Sequence, residues 1–129
     1  ARLMEGPMRT SIETELLKHA DEELEHARLL IDRIIELDGT PVLSPDEWTK
    51  LAACKYYPPS DPYVEVILDQ NLQAERCAIE RYQQLALFTD GKDYATHEIA
   101  VKILADELDH EHDIEDWLKD IQQMKQHIR

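Results

Sequence analysis

Glu23-Leu24-Glu25-His26 and Glu107-Leu108-Asp109-His110 are nearly the same phrase, written once in each half of a 129-residue chain. In each, Glu and His stand three residues apart, the spacing that puts two side chains on one face of an α-helix. The Leu after each Glu is expected near that face too, which turns each pair towards an interior. A carboxylate and an imidazole buried together are costly unless a partner neutralises them. A divalent metal does so. Carboxylate oxygen with imidazole nitrogen suits iron, manganese or zinc, and not calcium, which takes oxygen alone. In so acidic a chain with 6 histidines, single Glu-x-x-His pairs also arise by chance. The matched context of the two phrases therefore carries more weight than their number.

Around the first phrase, Leu16, Leu17, Ala20, Leu24, Ala27, Leu30, Ile31, Ile34 and Ile35 recur at three- and four-residue steps. That period predicts an amphipathic helix from near Arg9 to Leu37. Gly6-Pro7 breaks the chain before it, and Gly39 stands where a left-handed C-cap is expected. Ser44-Pro45-Asp46-Glu47 reads as the next start, with Ser44 as N-cap, Pro45 as first helical residue and Glu47 as capping-box partner. This short helix should end near Ala53, ahead of Tyr56-Tyr57-Pro58-Pro59. Asp61-Pro62 opens a second long helix with Val66, Leu68, Leu72, Ala78, Ile79, Leu85 and Ala86 as its apolar positions, closing at Asp90-Gly91. Asp93 is the N-cap of a third, from Tyr94 to near Gln126, with Ile99, Ile103, Leu104, Leu108, Ile114, Leu118 and Ile121 inward. The crossover of about 24 residues spans a bundle, so the first two long helices are expected parallel, and the tight turn at Gly91 makes the last two antiparallel. The class is all-α, in one domain.

The middle helix interrupts its own apolar stripe. Leu68, Leu72, Glu75, Ile79, Tyr82 and Ala86 share one face, and Glu75 is the exception among them. Pairing with Arg76 or Arg81 is the plain explanation, and bridging two metals is the functional one. Glu80 lies off the stripe and reads as surface.

Net charge is −14. Such a balance speaks against nucleic acid, whose phosphates need clustered Lys and Arg, and suits a protein that attracts cations. No run of 18 apolar residues offers a membrane span, and no secretory pattern opens the chain. Two cysteines, Cys54 and Cys77, are too few for a secreted disulfide framework. A cytoplasmic location is expected.

Glu-x-x-His on two helices and a lone Glu on another match the ligand pattern of di-iron carboxylate bundles. The sequence is similar to the bacterioferritin and Dps-like branch of the ferritin-like superfamily. Glu15 to Pro41, with Glu23-x-x-His26 and Asp38-Gly39-Thr40-Pro41, resembles that family's second helix and its exit. Asn71 to Tyr82, Asn-Leu-Gln-Ala-Glu-Arg-Cys-Ala-Ile-Glu-Arg-Tyr, resembles the third, and Thr96 to Leu118 resembles the fourth. The resemblance implies a ferritin-like four-helix bundle holding two irons per subunit through Glu23, His26, Glu75, Glu107 and His110. It implies a ferroxidase, with Glu23, Glu75 and Glu107 as its catalytic carboxylates, which oxidises Fe(II) with hydrogen peroxide or dioxygen. The ferric product would be stored in a cage of twelve copies, protecting against oxidative stress. Cys54 and Cys77, the latter two residues past Glu75, resemble the thioferritin cysteine pair, which implies a redox role. Taken without the resemblance, they are two small core residues. The alternatives are another di-metal peroxidase or catalase of this fold, with manganese or zinc in place of iron, and a non-catalytic acidic helical module.

The chain departs from the family at its start. The first helix and its Glu ligand would precede Ala1, and Ala1 to Pro7 reads as the end of that helix and its turn. Glu5 and Glu13 are badly placed as substitutes, so five of the six ligands of the pattern are present. The remaining helix is expected from a longer chain, another chain or a neighbouring subunit, because three helices alone would expose an apolar face. The end at Arg129, with no further helix, suits a dodecamer. No Met stands out as a haem ligand, and no Lys-rich tail offers the DNA binding of some Dps proteins. His19, His97, His112 and His127 have no matched partner and are expected at the surface, with His112 the one that could sit beside the ligands.

Overall fold

Helices form where the periodicity puts them. The computed structural model describes residues 1–128 and contains α1 (Arg9–Glu36), α2 (Pro45–Leu51), α3 (Val64–Thr89) and α4 (Tyr94–His127). The one β feature among the described residues is an isolated parallel bridge between Glu5 and Tyr63.

Contacts fix the helix directions. Along α1 and α4, His19 meets Asp113, His26 meets Asp106 and Arg33 meets Asp93, so the two run antiparallel. Along α3 and α4, Glu65 meets Lys125, Arg76 meets Glu111, and His97 donates to the Ala86 carbonyl, so these are antiparallel as well. It follows that α1 and α3 run parallel, as the long crossover requires. Both pack chiefly on α4.

Each long helix aims one stripe inward. The stripes are Ile12, Leu16, His19 and His26 on α1, Leu68, Leu72, Glu75 and Ala86 on α3, and Ile103, Glu107, His110, Ile114 and Ile121 on α4. At one end the stripes are apolar and close a core of Ile12, Leu16, Val64, Ile67, Leu68, Leu72, Ile114 and Ile121, plugged by Met4. Burying each such side chain contributes about 1.5–3 kcal/mol. Halfway along, the same stripes turn polar, and that is where the candidate site lies.

Several local expectations are corrected. The left-handed residue after α1 is Asp38 (φ 63°), not Gly39. Asp tolerates that region. Gly39 is needed for space instead: its N–H donates to the Ile34 carbonyl at 2.8 Å, and a Cβ there would stand 2.9 Å from Ile34 Cγ2. Ser44 precedes α2 without a side-chain cap, whereas Asp93 does cap α4 by accepting from Thr96 N–H. Ala1 to Pro7 is not the end of a helix: Glu5 pairs through its backbone with Pro62 and Val64, which seats Met4 in the core. Leu24 and Leu108 are 53% and 44% exposed, so the residue after each Glu faces out. One residue along a helix turns the side chain by about 100°, enough to leave the inward face. Leu17, Leu24 and Ile31 form an uncovered row down α1, and Val101 and Leu108 are exposed on α4.

Ile114 is fully buried in the apolar end. Ile114→Ala is expected to cost about 2–5 kcal/mol, seen as a lower thermal midpoint with helical content at low temperature retained. An unchanged midpoint would mean that this end is not the packed core.

Candidate metal centre

Three helices contribute to one cluster. The Glu23 and His26 side chains come from α1, Glu75 from α3, and Glu107 and His110 from α4. Glu107 and His110 are 1% and 2% exposed and occupy the positions on the α4 stripe between Ile103 and Ile114. His26 is equally buried, Glu75 nearly so, and Glu23 is half exposed.

Ligand atoms of Glu23, Glu75, Glu107 and His110 lie within 4.8 Å of one another. His110 Nδ1 stands 3.2 Å from Glu23 Oε1, 3.5 Å from Glu75 Oε1 and 4.0 Å from Glu107 Oε1. His26 Nδ1 stands 3.0 Å from Glu107 Oε1 and 3.6 Å from Glu23 Oε2. Yet His26 Nδ1, His110 Nδ1, Glu75 Oε2 and Glu107 Oε1 are buried without an aligned hydrogen-bond partner. These atoms converge on a shared space instead of pairing off. Buried polar atoms are almost always hydrogen-bonded, so a set of this kind fits cations seated among them.

The outer nitrogen of each imidazole is held by a carboxylate on the opposite helix. His26 Nε2 donates to Asp106 Oδ2 at 2.8 Å, and His110 Nε2 donates to Glu22 Oε2 at 2.6 Å. A carboxylate on one nitrogen fixes the ring so that the other faces the metal, an arrangement common to metal-ligating histidines. Asp106 is in turn held by Lys102 at 3.0 Å. Neither Glu22 nor Asp106 is singled out by the Glu-x-x-His reading. The signal was there one residue earlier, since Glu22-Glu23-Leu24-Glu25-His26 and Asp106-Glu107-Leu108-Asp109-His110 both begin with two acids.

Crowded charge perturbs the whole site. Burial and the neighbouring Glu75 and Glu23 carboxylates push the Glu107 carboxyl up to about 11. Burial also raises Glu23, but His110, Glu107 and the charge of His26 outweigh it and bring Glu23 down to about 2. Burial opposes the His110 charge, while Glu23, Glu75 and Glu22 carry it up to about 11. Tyr82 is raised to about 12 by burial and by the field of Glu107, Glu23 and Glu75. The apo site thus keeps protons where cations would sit.

The other sequence candidates fall as follows. Cys54 and Cys77 are joined as a disulfide with Cα atoms 5.9 Å apart, tying the crossover to α3 beside Glu75. Glu80 is exposed. His112 is exposed and paired only with Asp116, so it does not reach the ligands. His97 is half buried at the start of α4 and donates to the Ala86 carbonyl. His19 is not a surface residue: it is 7% exposed and stacked on the His110 ring at 3.9 Å. Its partner, Asp113 on α4, has no marker in the sequence near His19.

A family profile described as ferritin-like domain matches residues 1–124. The DNA protection during starvation protein of Pyrococcus furiosus is 39% identical over 108 residues, which are 79% of this chain and 58% of that protein. The chain therefore spans less than two thirds of that relative's length. Among solved structures, a dodecameric thioferritin, the bacterioferritin-related protein of Bacteroides fragilis, superposes with a TM-score of 0.96 at 51% identity, over 98% of this chain and 75% of that one.

His110 gives the charge arrangement a direct test. Its folded pKa lies above the ordinary 6.5, so its stabilising charge is fully present below 6.5 and is lost as pH rises through about 11. Nitrogen-15 NMR of the metal-free protein should report His110 as an imidazolium at about pH 8, where a free histidine is neutral. A neutral ring at that pH would contradict the arrangement.

Proposed function

The chain belongs to the ferritin-like family, and from that membership together with the geometry of the centre we propose that it is a ferroxidase. Fe(II) is its substrate, hydrogen peroxide or dioxygen its oxidant, and an iron store protecting against oxidative stress its purpose. The observation that carries the reading is the convergence of buried, unpartnered ligand atoms from three helices. Mixed carboxylate and imidazole donors suit iron among the divalent metals, as they also suit manganese and zinc.

In this reading two Fe(II) ions enter per subunit. Glu75 comes from a third helix to the midst of the two Glu-x-x-His pairs and serves both ions. His26 and His110 each serve one, and Glu23 and Glu107 complete the set. Each iron gives up one electron. With peroxide as oxidant, two Fe(II), one hydrogen peroxide and two protons become two Fe(III) and two waters. Anionic oxygen donors favour the ferric state, which drives the reaction forward. Asp106 and Glu22 hold the two imidazoles in place throughout.

The store itself is proposed to be a shell of twelve copies, by analogy with the dodecameric relative. The uncovered row of Leu17, Leu24 and Ile31 runs past the half-exposed Glu23. A further helix, from a longer form of this chain or from a neighbour, would cover that row and supply the remaining carboxylate. The Cys54–Cys77 bridge is proposed as a redox pair, since its reduction would free the crossover from α3 two residues from Glu75.

Two measurements test the reading. Glu75→Ala and His110→Ala should each slow Fe(II) oxidation by about 100-fold or more, followed as ferric absorbance, while gel filtration shows unchanged assembly. Wild-type rates in both would sink the assignment. The second test concerns protons. Glu107 and His110 hold theirs up to about 11, so an ion that displaces both releases about two, and its affinity should rise about 100-fold per pH unit near neutrality. Calorimetry of Co(II) binding in buffers of different ionisation enthalpy reads that number, and a value near zero would count against these ligands.

A further inference from the structure

A row of stacked rings leads from the centre to the edge of the apolar core. His19 lies against the His110 ring with centroids 3.9 Å apart and planes 16° from parallel. Trp117 stacks on His19 in turn, at 5.5 Å and 24°. His110 and Trp117 stand on one face of α4 about two turns apart, and His19 from α1 fills the gap between them. The row is held in place at both ends. His19 Nε2 donates to Asp113 Oδ2 at 3.1 Å, and Trp117 is half-buried and packed against the core that contains Ile12, Leu16 and Ile114.

Packing explains a large ring at the core edge. It does not require three near-parallel π-systems in line with a proposed iron ligand. Indole and phenol are the side chains that lose one electron most readily, apart from thiols. Imidazole is harder to oxidise and acts as a bridge. Electronic coupling falls steeply with the gap between groups, and stacked rings leave only van der Waals gaps. The field favours the loss as well, because Asp113 beside His19, with Glu15, Asp21 and Glu22 in the open groove between α1 and α4, stabilises positive charge left on the row. The proposed reaction has a state in which such a donor matters. Two Fe(II) supply both electrons that hydrogen peroxide takes. A centre holding a single Fe(II) supplies one, and half of the peroxide is then left as hydroxyl radical.

We propose that Trp117 is an electron reserve for the centre, giving one electron through His19 and His110 when peroxide meets a single bound Fe(II). In balance, one Fe(II), one hydrogen peroxide, one Trp117 indole and one proton become one Fe(III), two waters and one neutral indolyl radical. The O–O bond breaks, the iron and the indole are each oxidised by one electron, and the peroxide is reduced by two. The indole N–H proton passes to water, since the ring is only half-buried. The inference rests on the reading of the centre as a ferroxidase, and it makes a separate demand on Trp117.

The test loads the assembled protein with one Fe(II) per subunit, without oxygen, adds one equivalent of hydrogen peroxide, and freezes the mixture for electron paramagnetic resonance. A neutral tryptophan radical is expected, weaker when two Fe(II) per subunit are loaded because the second ion then supplies the electron. Trp48, the other of the 2 tryptophans, is exposed on α2, so Trp48→Phe should keep the signal. Trp117→Phe should lose it and release hydroxyl radical to a spin trap, while Fe(II) is still oxidised. Trp117→Leu is the second variant should the first fail to assemble. A signal that survives the Trp117 substitution, a tyrosyl radical in its place, or Fe(II) oxidation with no protein radical would overturn the electron reserve and leave the centre standing. No Fe(II) oxidation in the wild type would overturn the reading of the centre and the reserve with it.

Discussion

Burial of Glu107 and His110 halfway along α4 is the constraint on which the other elements depend. Both groups sit in a stripe that is otherwise apolar, and neither can be left there alone, because an isolated buried charge costs several kcal/mol. Their partners must come from other helices. Glu23 and His26 arrive from α1 and Glu75 from α3, and the helices can supply them only in one register. A shift of α1 by two turns would bring Leu16 or Leu30 opposite His110 in place of Glu23. The polar level therefore sets the alignment of the bundle, while the apolar end below it supplies most of the stability.

The same level is electrostatically overloaded. Three carboxylates around one space repel one another, and the metal-free chain answers by keeping the Glu107 proton and by charging His110. These are opposite responses to one cause. A carboxyl among carboxylates gains by becoming neutral, and an imidazole among them gains by becoming positive. A divalent cation would do the work of both protons at once. Binding is then coupled to proton release and to stability, since whatever binds the folded state alone stabilises it.

How much of this was legible follows from where each signal resides. Helix limits came from local period and breakers, and all four helices lie within a few residues of the expected bounds. The interruption of the α3 stripe by Glu75 was visible for the same reason, as a polar residue at core spacing. Pair relations across helices were visible only where the sequence repeats itself, as in the two Glu-x-x-His phrases. His19 and Asp113 are 94 residues apart and share no phrase, so nothing local marked either. Leu24 and Leu108 were misplaced because a pattern of apolar steps wider than one stripe does not say which edge is covered. Asp38 was overlooked as the left-handed residue because the neighbouring Gly39 is the commoner choice, and in this turn Gly39 is spent on room for the Ile34 side chain.

Cross-wiring between α1 and α4 explains why the acid before each Glu matters as much as the Glu-x-x-His spacing. In an antiparallel pair, a residue just before the Glu of one helix lies level with the His of the other. Asp106 therefore reaches His26, and Glu22 reaches His110. Each phrase thus serves the other: its Glu and His turn inward, and its leading acid steadies the opposite ring from outside. His19 extends the pattern one turn further, held by Asp113, which stands three residues past His110 as Glu22 stands three past His19. A row of three imidazoles has formed along one helix interface, each clamped at Nε2 and open at Nδ1. A fold built only to pack would have placed apolar side chains there, because unpaired buried nitrogens weaken a core that three leucines would strengthen. On the proposed reading, cations seated among these nitrogens and carboxylates would offset that cost.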